Sequence, residues 1–211
     1  MQDTEVLVRA RALLKETLSE KRAGHVLAVE EETEALVGAF GLEDAREELC
    51  LSALLHDITK EKSVEAQLQL CREYGIILRD QDLRTPKGLH AITAAGFARR
   101  EFDLADEFCD AIRYHTTGRA GMTTFDKILF LADYIEKTRT WAPCQALRTV
   151  FWRDMEKAKS EEEKLLVLSR TVRLGIDSTL QDLIEGKKYI HPDTVSARND
   201  LVLAEQNAAK A

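Results

Sequence analysis

Proline and glycine are scarce in this chain: three prolines and ten glycines in 211 residues. Neither valine, isoleucine nor threonine alternates with polar residues for long. Those shortages exclude a strand-and-turn architecture, because sheets need tight turns and a period-2 pattern. Cysteine is also sparse. Cys50, Cys71, Cys109 and Cys144 lie far apart, and no CxxC pair exists. Such spacing excludes a disulfide scaffold or a zinc ribbon and fits reduced, buried thiols. No apolar run approaches the roughly 20 residues that span a bilayer. The stretch Met1-Gln2-Asp3-Thr4-Glu5 is acidic and lacks the pattern of a secretion signal, so a cytoplasmic protein is expected. Positive charge is in the minority. A net charge of -7 argues against general DNA or RNA binding, which needs a basic face. It leaves room for a small polyphosphate held by one local cluster of bases.

What remains is rich in Leu, Ala, Glu, Lys and Arg, the composition of an almost wholly helical protein. Hydrophobic residues at 45% suffice to build a core without staples at this length. Apolar residues at helical spacing predict a first helix over residues 4–21, ended or kinked at Gly24. Helices over 26–40, 43–57 and 63–74 follow, closed in turn by Gly41, the His56-Asp57 pair and Gly75. Residues 76–88 read as loop with a short turn. Residues 89–101 are helical again. Asp103 is expected to cap a helix running to His115. Further helices are expected over 125–137, 142–157, 161–185 and from His191-Pro192-Asp193 onward, with residues 205–211 fraying. The expected plan is one all-α domain, its core over about 20–140 and a helical extension over about 141–211.

The chemistry concentrates at Leu54-Leu55-His56-Asp57-Ile58-Thr59-Lys60, where two metal-binding side chains end an apolar run. Only five histidines occur. His25 and His90 are expected at helix starts, His56 and His115 at helix ends, and such ends can converge on one cleft. Asp133 interrupts the apolar face Leu131-Ala132-Asp133-Tyr134-Ile135, where a carboxylate is costly unless paired or bound to metal. Imidazole with carboxylate suits iron, manganese, cobalt or zinc. One ion would use His25, His56, Asp57 and Asp133 and leave two histidines spare. Two ions about 3.5–4 Å apart would use all six side chains, which favours a dinuclear site. His191, before Pro192, reads as a capping residue.

The order His25, His56-Asp57, Asp133 resembles the H…HD…D pattern of the HD-domain metal-dependent phosphohydrolases. Within that family the chain is similar to the YqeK-like branch of symmetrical diadenosine tetraphosphate hydrolases. The resemblance rests on Arg22-Ala23-Gly24-His25-Val26, His56-Asp57-Ile58-Thr59-Lys60, Tyr114-His115-Thr116-Thr117-Gly118, Asp126-Lys127-Ile128 with Ala132-Asp133-Tyr134-Ile135-Glu136, and Ile190-His191-Pro192-Asp193. It spans roughly residues 20–200. Lys137, where that branch usually has proline, and Ala91, where glycine is common, depart from it.

The resemblance implies an HD-domain helical bundle with a C-terminal extension. It implies hydrolysis of diadenosine tetraphosphate to two ADP by a hydroxide generated at divalent ions, iron being favoured. His56, Asp57 and Lys60 are the expected catalytic residues, with Asp57 bridging the ions. His25, Lys60, His90, Tyr114, His115, Asp133 and Arg139 are expected around the nucleotide, Tyr114 against a base or ribose and Lys60 and Arg139 on phosphate oxygens. The rivals are a nucleotidase or deoxynucleoside phosphohydrolase with the same metals, and a nucleotide-binding regulator without turnover. The expected partner is a small nucleotide, with no nucleic acid and no membrane; a homodimer is left open.

Overall fold

A computed structural model describes residues 4–208. Among them it contains eleven α-helices and no strand. Helix α1 (Glu5–Thr17) packs on α3 (Arg46–Leu55), and α2 (Glu20–Phe40) packs on both α3 and α8 (Thr124–Ile135). Helix α4 (Val64–Glu73) lies against α6 (Leu89–Phe102), and α6 against α7 (Asp106–Tyr114). The short α5 (Asp80–Arg84) sits between them in the chain. Helices α9 (Ala142–Lys157) and α11 (Pro192–Ala208) both pack on the long α10 (Glu161–Glu185), which joins the bundle through α8. One apolar cluster runs from Leu7 in α1 to Ala197 and Leu201 in α11. No described helix is long and apolar enough to cross a membrane.

Several helix limits differ from expectation for identifiable reasons. The break between α1 and α2 falls at Leu18-Ser19, not at Gly24. Ser19 caps α2 by accepting from the Arg22 N–H, so Gly24 lies inside the second turn and His25 with it. His25 therefore does not stand at a helix start. Residues 43–57 are not one helix: a 3-10 turn (Glu43–Ala45) leads into α3, which ends at Leu55. His56 is its C-cap, and the chain continues in three-residue turns in which the Lys60 N–H donates to the Asp57 carbonyl. Asp103 does not cap the start of α7. It closes α6 in the left-handed conformation, φ 52°, and Ala105 precedes α7. The stretch 76–88 contains α5 and a 3-10 turn, Pro86–Gly88. Helix α11 continues to Ala208, so fraying is not seen over 205–208; residues 209–211 lie outside the described residues. All four cysteines are free and buried, as their spacing suggested.

Candidate metal centre

Three helix termini and two helix interiors bring the predicted ligands together. His56 and His115 are the C-caps of α3 and α7, His90 is the second residue of α6, and His25 and Asp133 project from α2 and α8. The three histidines at helix ends share one local device. Nδ1 of His56, His90 and His115 lies 2.6, 2.7 and 2.7 Å from the carbonyls of Ala53, Lys87 and Ile112. Each carbonyl belongs to the residue three positions earlier. A carbonyl only accepts, so each Nδ1 carries the proton and each Nε2 presents a lone pair. His25 reaches the same orientation by a different partner: its Nδ1 donates to Glu136 Oε1 at 3.1 Å.

All four Nε2 atoms close on the Asp57 carboxylate. Oδ2 faces His56 at 3.7 Å and His25 at 3.9 Å; Oδ1 faces His90 at 3.1 Å and His115 at 3.7 Å. Asp133 Oδ1 lies 3.1 Å from His25 Nε2 and 3.9 Å from His56 Nε2. His56, Asp57, His90 and His115 are buried. Three overlapping donor groups result: His25-His56-Asp57, His56-His115-Asp133 and Asp57-His90-His115. Every one of the six predicted metal ligands is in at least one of them.

The residues fit cations. His25 Nε2, His56 Nε2 and Asp57 Oδ1 are buried with no hydrogen-bond partner in good geometry. Leaving such atoms unsatisfied is costly unless an ion takes the lone pairs of His56 Nε2 and Asp57 Oδ1 and displaces the proton that His25 Nε2 turns toward Asp133. His90 Nε2 and His115 Nε2 face each other at 3.3 Å, lone pair to lone pair, an arrangement that repels unless something positive intervenes. Burial lowers His56 and His90 to about 4, so both are neutral and ready to ligate at neutral pH. Burial opposes the charge on Asp57 and Asp133, yet surrounding histidines with Lys60, and Arg139 with His25 respectively, hold both carboxylates well below their usual range. Burial also opposes a proton on His25, but Asp133 and Glu136 beside its two nitrogens hold it up to about 9.

Three bases meet these ligands directly. Lys60 Nζ donates to His90 Nε2 at 2.9 Å and lies 3.6 Å from Asp57 Oδ1. Arg22 donates to Asp57 Oδ2 at 2.9 Å. Arg139 grips Asp133 through its carboxylate and, at 2.9 Å, its backbone carbonyl. Lys60 and Arg139 were anticipated at the site; Arg22 and Glu136 were quoted only as parts of motifs. The signal for Glu136 was its place one turn beyond Asp133 on the helix that supplies a ligand.

Tyr114 is not brought into the cluster. Its ring lies beneath the guanidinium of Arg119, 5.0 Å from centroid to carbon, and it lines a separate small cavity with Arg79, Asp82 and His191. The aromatic side chains beside the ligands are Phe130, Tyr134 and Trp141, around a cavity of about 220 Å³ that also touches His115, Asp133 and Arg139. The turn Thr116-Thr117-Gly118 does not offer its last amide to a ligand, because the Gly118 N–H donates to the Tyr114 carbonyl. His191 behaves as a capping residue: Nδ1 accepts from the Asp193 N–H, and Nε2 lies 3.2 Å from Asp82 Oδ1.

A helical bundle that gathers histidines and aspartates in this order defines an HD-type hydrolase centre, and residues 22–138 match the HD domain family. Known proteins carry the assignment further. The chain is 32% identical to a symmetrical bis(5'-nucleosyl)-tetraphosphatase of Halalkalibacterium halodurans, over 94% of this chain and 98% of that one. It is 31% identical to the Bacillus subtilis protein of the same name, over 92% of this chain and 96% of the relative. It matches the crystal structure of a predicted HD superfamily hydrolase involved in NAD metabolism from Clostridium acetobutylicum with a TM-score of 0.80, at 28% identity, covering 93% and 96% of the two chains. The chain belongs to the HD-domain family, among the symmetrical bis(5'-nucleosyl)-tetraphosphatases.

Proposed function

We propose that this chain is a single-domain, metal-dependent hydrolase that splits diadenosine tetraphosphate symmetrically into two ADP. Family membership supports the activity. The observation that carries the metal assignment is the position of Asp57, one carboxylate oxygen toward the His25-His56 pair and the other toward the His90-His115 pair. We assign His25, His56, Asp57 Oδ2 and Asp133 to one ion, and His90, His115 and Asp57 Oδ1 to a second. The first set has four protein donors and the second three, so the second keeps more coordination positions free for water and substrate. The mixed imidazole and carboxylate donors suit iron, manganese, cobalt or zinc alike, and iron is the choice the family resemblance favours. Divalent ions bound there supply a water acidified toward neutral pH and charge for the phosphoryl oxygens.

The protein's own groups do the rest. Asp57 holds the two halves of the centre in register, and His56 anchors the buried end. Lys60, Arg22 and Arg139 each sit on an atom that an ion would claim: His90 Nε2, Asp57 Oδ2 and Asp133 Oδ1. Loss of those partners leaves three cations facing the cleft with unspent donors, suited to the oxygens of a polyphosphate. The cavity walled by Phe130, Tyr134 and Trp141 accommodates one nucleoside. His25, Lys60, His90, His115, Asp133 and Arg139 form the nucleotide's immediate surroundings. The chain's negative net charge and the absence of a described membrane-length helix accord with a cytoplasmic enzyme of small nucleotides.

The test is product analysis with metal content measured on the same sample. Diadenosine tetraphosphate should yield ADP alone, in proportion to bound iron or manganese. AMP with ATP, or free phosphate from mononucleotides as the main product, would refute the assignment.

A further inference from the structure

A substrate with two nucleosides needs two receiving hollows, one on each side of the bond that breaks. The aromatic cavity described above provides one. A second cavity, of about 400 Å³, opens on the other side of Arg139 and Trp141, which line both. It reaches the metal centre at His25 and is lined there by Lys21, Arg22 and Thr140 together with Glu61 and Glu136. Its two carboxylates are already committed. Glu61 accepts from the Ser19 N–H and hydroxyl at 2.7 and 2.6 Å, and Glu136 accepts from His25 and from the Thr138 hydroxyl. Its bases are not: Lys21 is exposed, and Arg22 is held only by Asp57, a ligand atom of the centre. With Lys21, Arg22 and Arg139 set against Glu61 and Glu136, the hollow is polar, keeps a small positive balance, and is continuous with the reacting centre.

We infer, on the reading that the substrate is a dinucleoside polyphosphate, that this second cavity receives the other nucleoside diphosphate half. Arg22 and Lys21 engage its phosphates, and Thr140 lies against its nucleoside. The Arg139-Trp141 wall separates the two halves and leaves the central bond beside Asp57. Such an arrangement explains why cleavage is symmetrical: with a nucleoside diphosphate fixed on each side, only the middle of the tetraphosphate lies over the centre.

Calorimetric titration of the full-length, metal-loaded protein with ADP tests this. Wild type should bind two ADP per chain. Thr140→Trp, which fills the hollow, should bind one. Lys21→Glu, an exposed substitution that leaves the core alone, should weaken one of the two sites by about tenfold or more, consistent with loss of a charged hydrogen bond. In Thr140→Trp the ratio of kcat/KM for diadenosine tetraphosphate to that for adenosine 5'-tetraphosphate, which lacks the second nucleoside, should fall by a similar factor, whereas Lys21→Glu should lower both values alike. One ADP per wild-type chain, or two in Thr140→Trp with an unchanged ratio, overturns the second site even if ADP is the sole product. Absence of any ADP from diadenosine tetraphosphate in wild type instead overturns the tetraphosphatase reading on which the substrate's two halves depend.

Discussion

Glu136→Gln isolates what a buried carboxylate contributes to a metal centre it does not touch. Glu136 is fully buried, and burial opposes its charge; His25 and Thr138 nonetheless hold it below the usual carboxylate range, so it is ionised at neutral pH. It accepts from His25 Nδ1 at 3.1 Å and from the Thr138 hydroxyl at 2.8 Å. Its negative charge makes His25 a stronger donor and fixes the ring with Nε2 toward Asp57 and Asp133. Glutamine keeps an acceptor of the same size but removes that charge, and its amide places a new donor near the Arg139 guanidinium, whose Nε is 3.7 Å from Oε1. Losing a partner of this kind costs about 10- to 100-fold in metal affinity, or about 1.4–2.7 kcal/mol. The assay is competition for manganese against a chelator, with far-UV circular dichroism to verify the helices. The expected outcome is weaker binding of one ion only, the one served by His25. Unchanged affinity for both ions in a folded protein would refute the claim that Glu136 acts through His25.

Other outcomes follow from the same geometry. His90→Ala leaves the second donor set with His115 and Asp57 alone, so metal stoichiometry measured by elemental analysis should fall from two toward one per chain; two retained ions would contradict the division proposed here. Asp82 is buried, and although burial works against its charge, hydrogen bonds from Arg79 with the help of His191 lower its pKa. A depressed carboxylate stabilises the fold fully above its unfolded value of about 3.9 and loses that contribution as pH falls through the lower folded value. Asp82→Asn should therefore reduce stability by on the order of 1 kcal/mol at pH 7 and flatten the fall in melting temperature below about pH 4; an equally steep fall would count against it. Gly118 has φ +66°, and a Cβ there would meet the Ala197 Cβ at 2.9 Å. Gly118→Ala should lower stability by about 1–3 kcal/mol in a denaturant melt, and a neutral result would mean that α11 shifts freely.

The helical class was legible from composition, and the gathering of the six proposed ligands was legible from a few strong local signals. His56-Asp57 ends an apolar run, and Asp133 breaks one. The misread boundaries depended on partners distant in sequence. Ser19 caps α2, but a capping box needs an acid three residues on, and Arg22 stands there. The missing acid comes from Glu61, whose carboxylate takes the Ser19 N–H from 42 residues away. No window over residues 15–30 contains that information, and Gly24 looked like the stronger break. Asp103 misled for a related reason: aspartate is favoured both before a helix and in the left-handed turn after one. Tyr114 sits next to a ligand in sequence, yet the end of α7 turns its ring toward Arg113 and Arg119, while Tyr134 and Trp141 face the cavity. Adjacency to a ligand did not predict a shared direction.

The charge layout also explains how an acidic chain can attract a polyphosphate. At the centre, Asp57, Asp133 and Glu136 stand against Arg22, Lys60 and Arg139, with a proton held on His25. Those groups nearly cancel, so the metal-free cleft has little net pull. The α3 and α7 C-termini point their carbonyl ends at the same spot, which favours cations and disfavours phosphate. Divalent ions held by the histidine nitrogens and the carboxylates would add positive charge, would replace the proton on His25, and would free the three bases from their present partners. Most of the positive surplus would then exist only in the loaded protein. Metal and nucleotide should then bind with positive coupling, and by linkage each strengthens the other by the same factor.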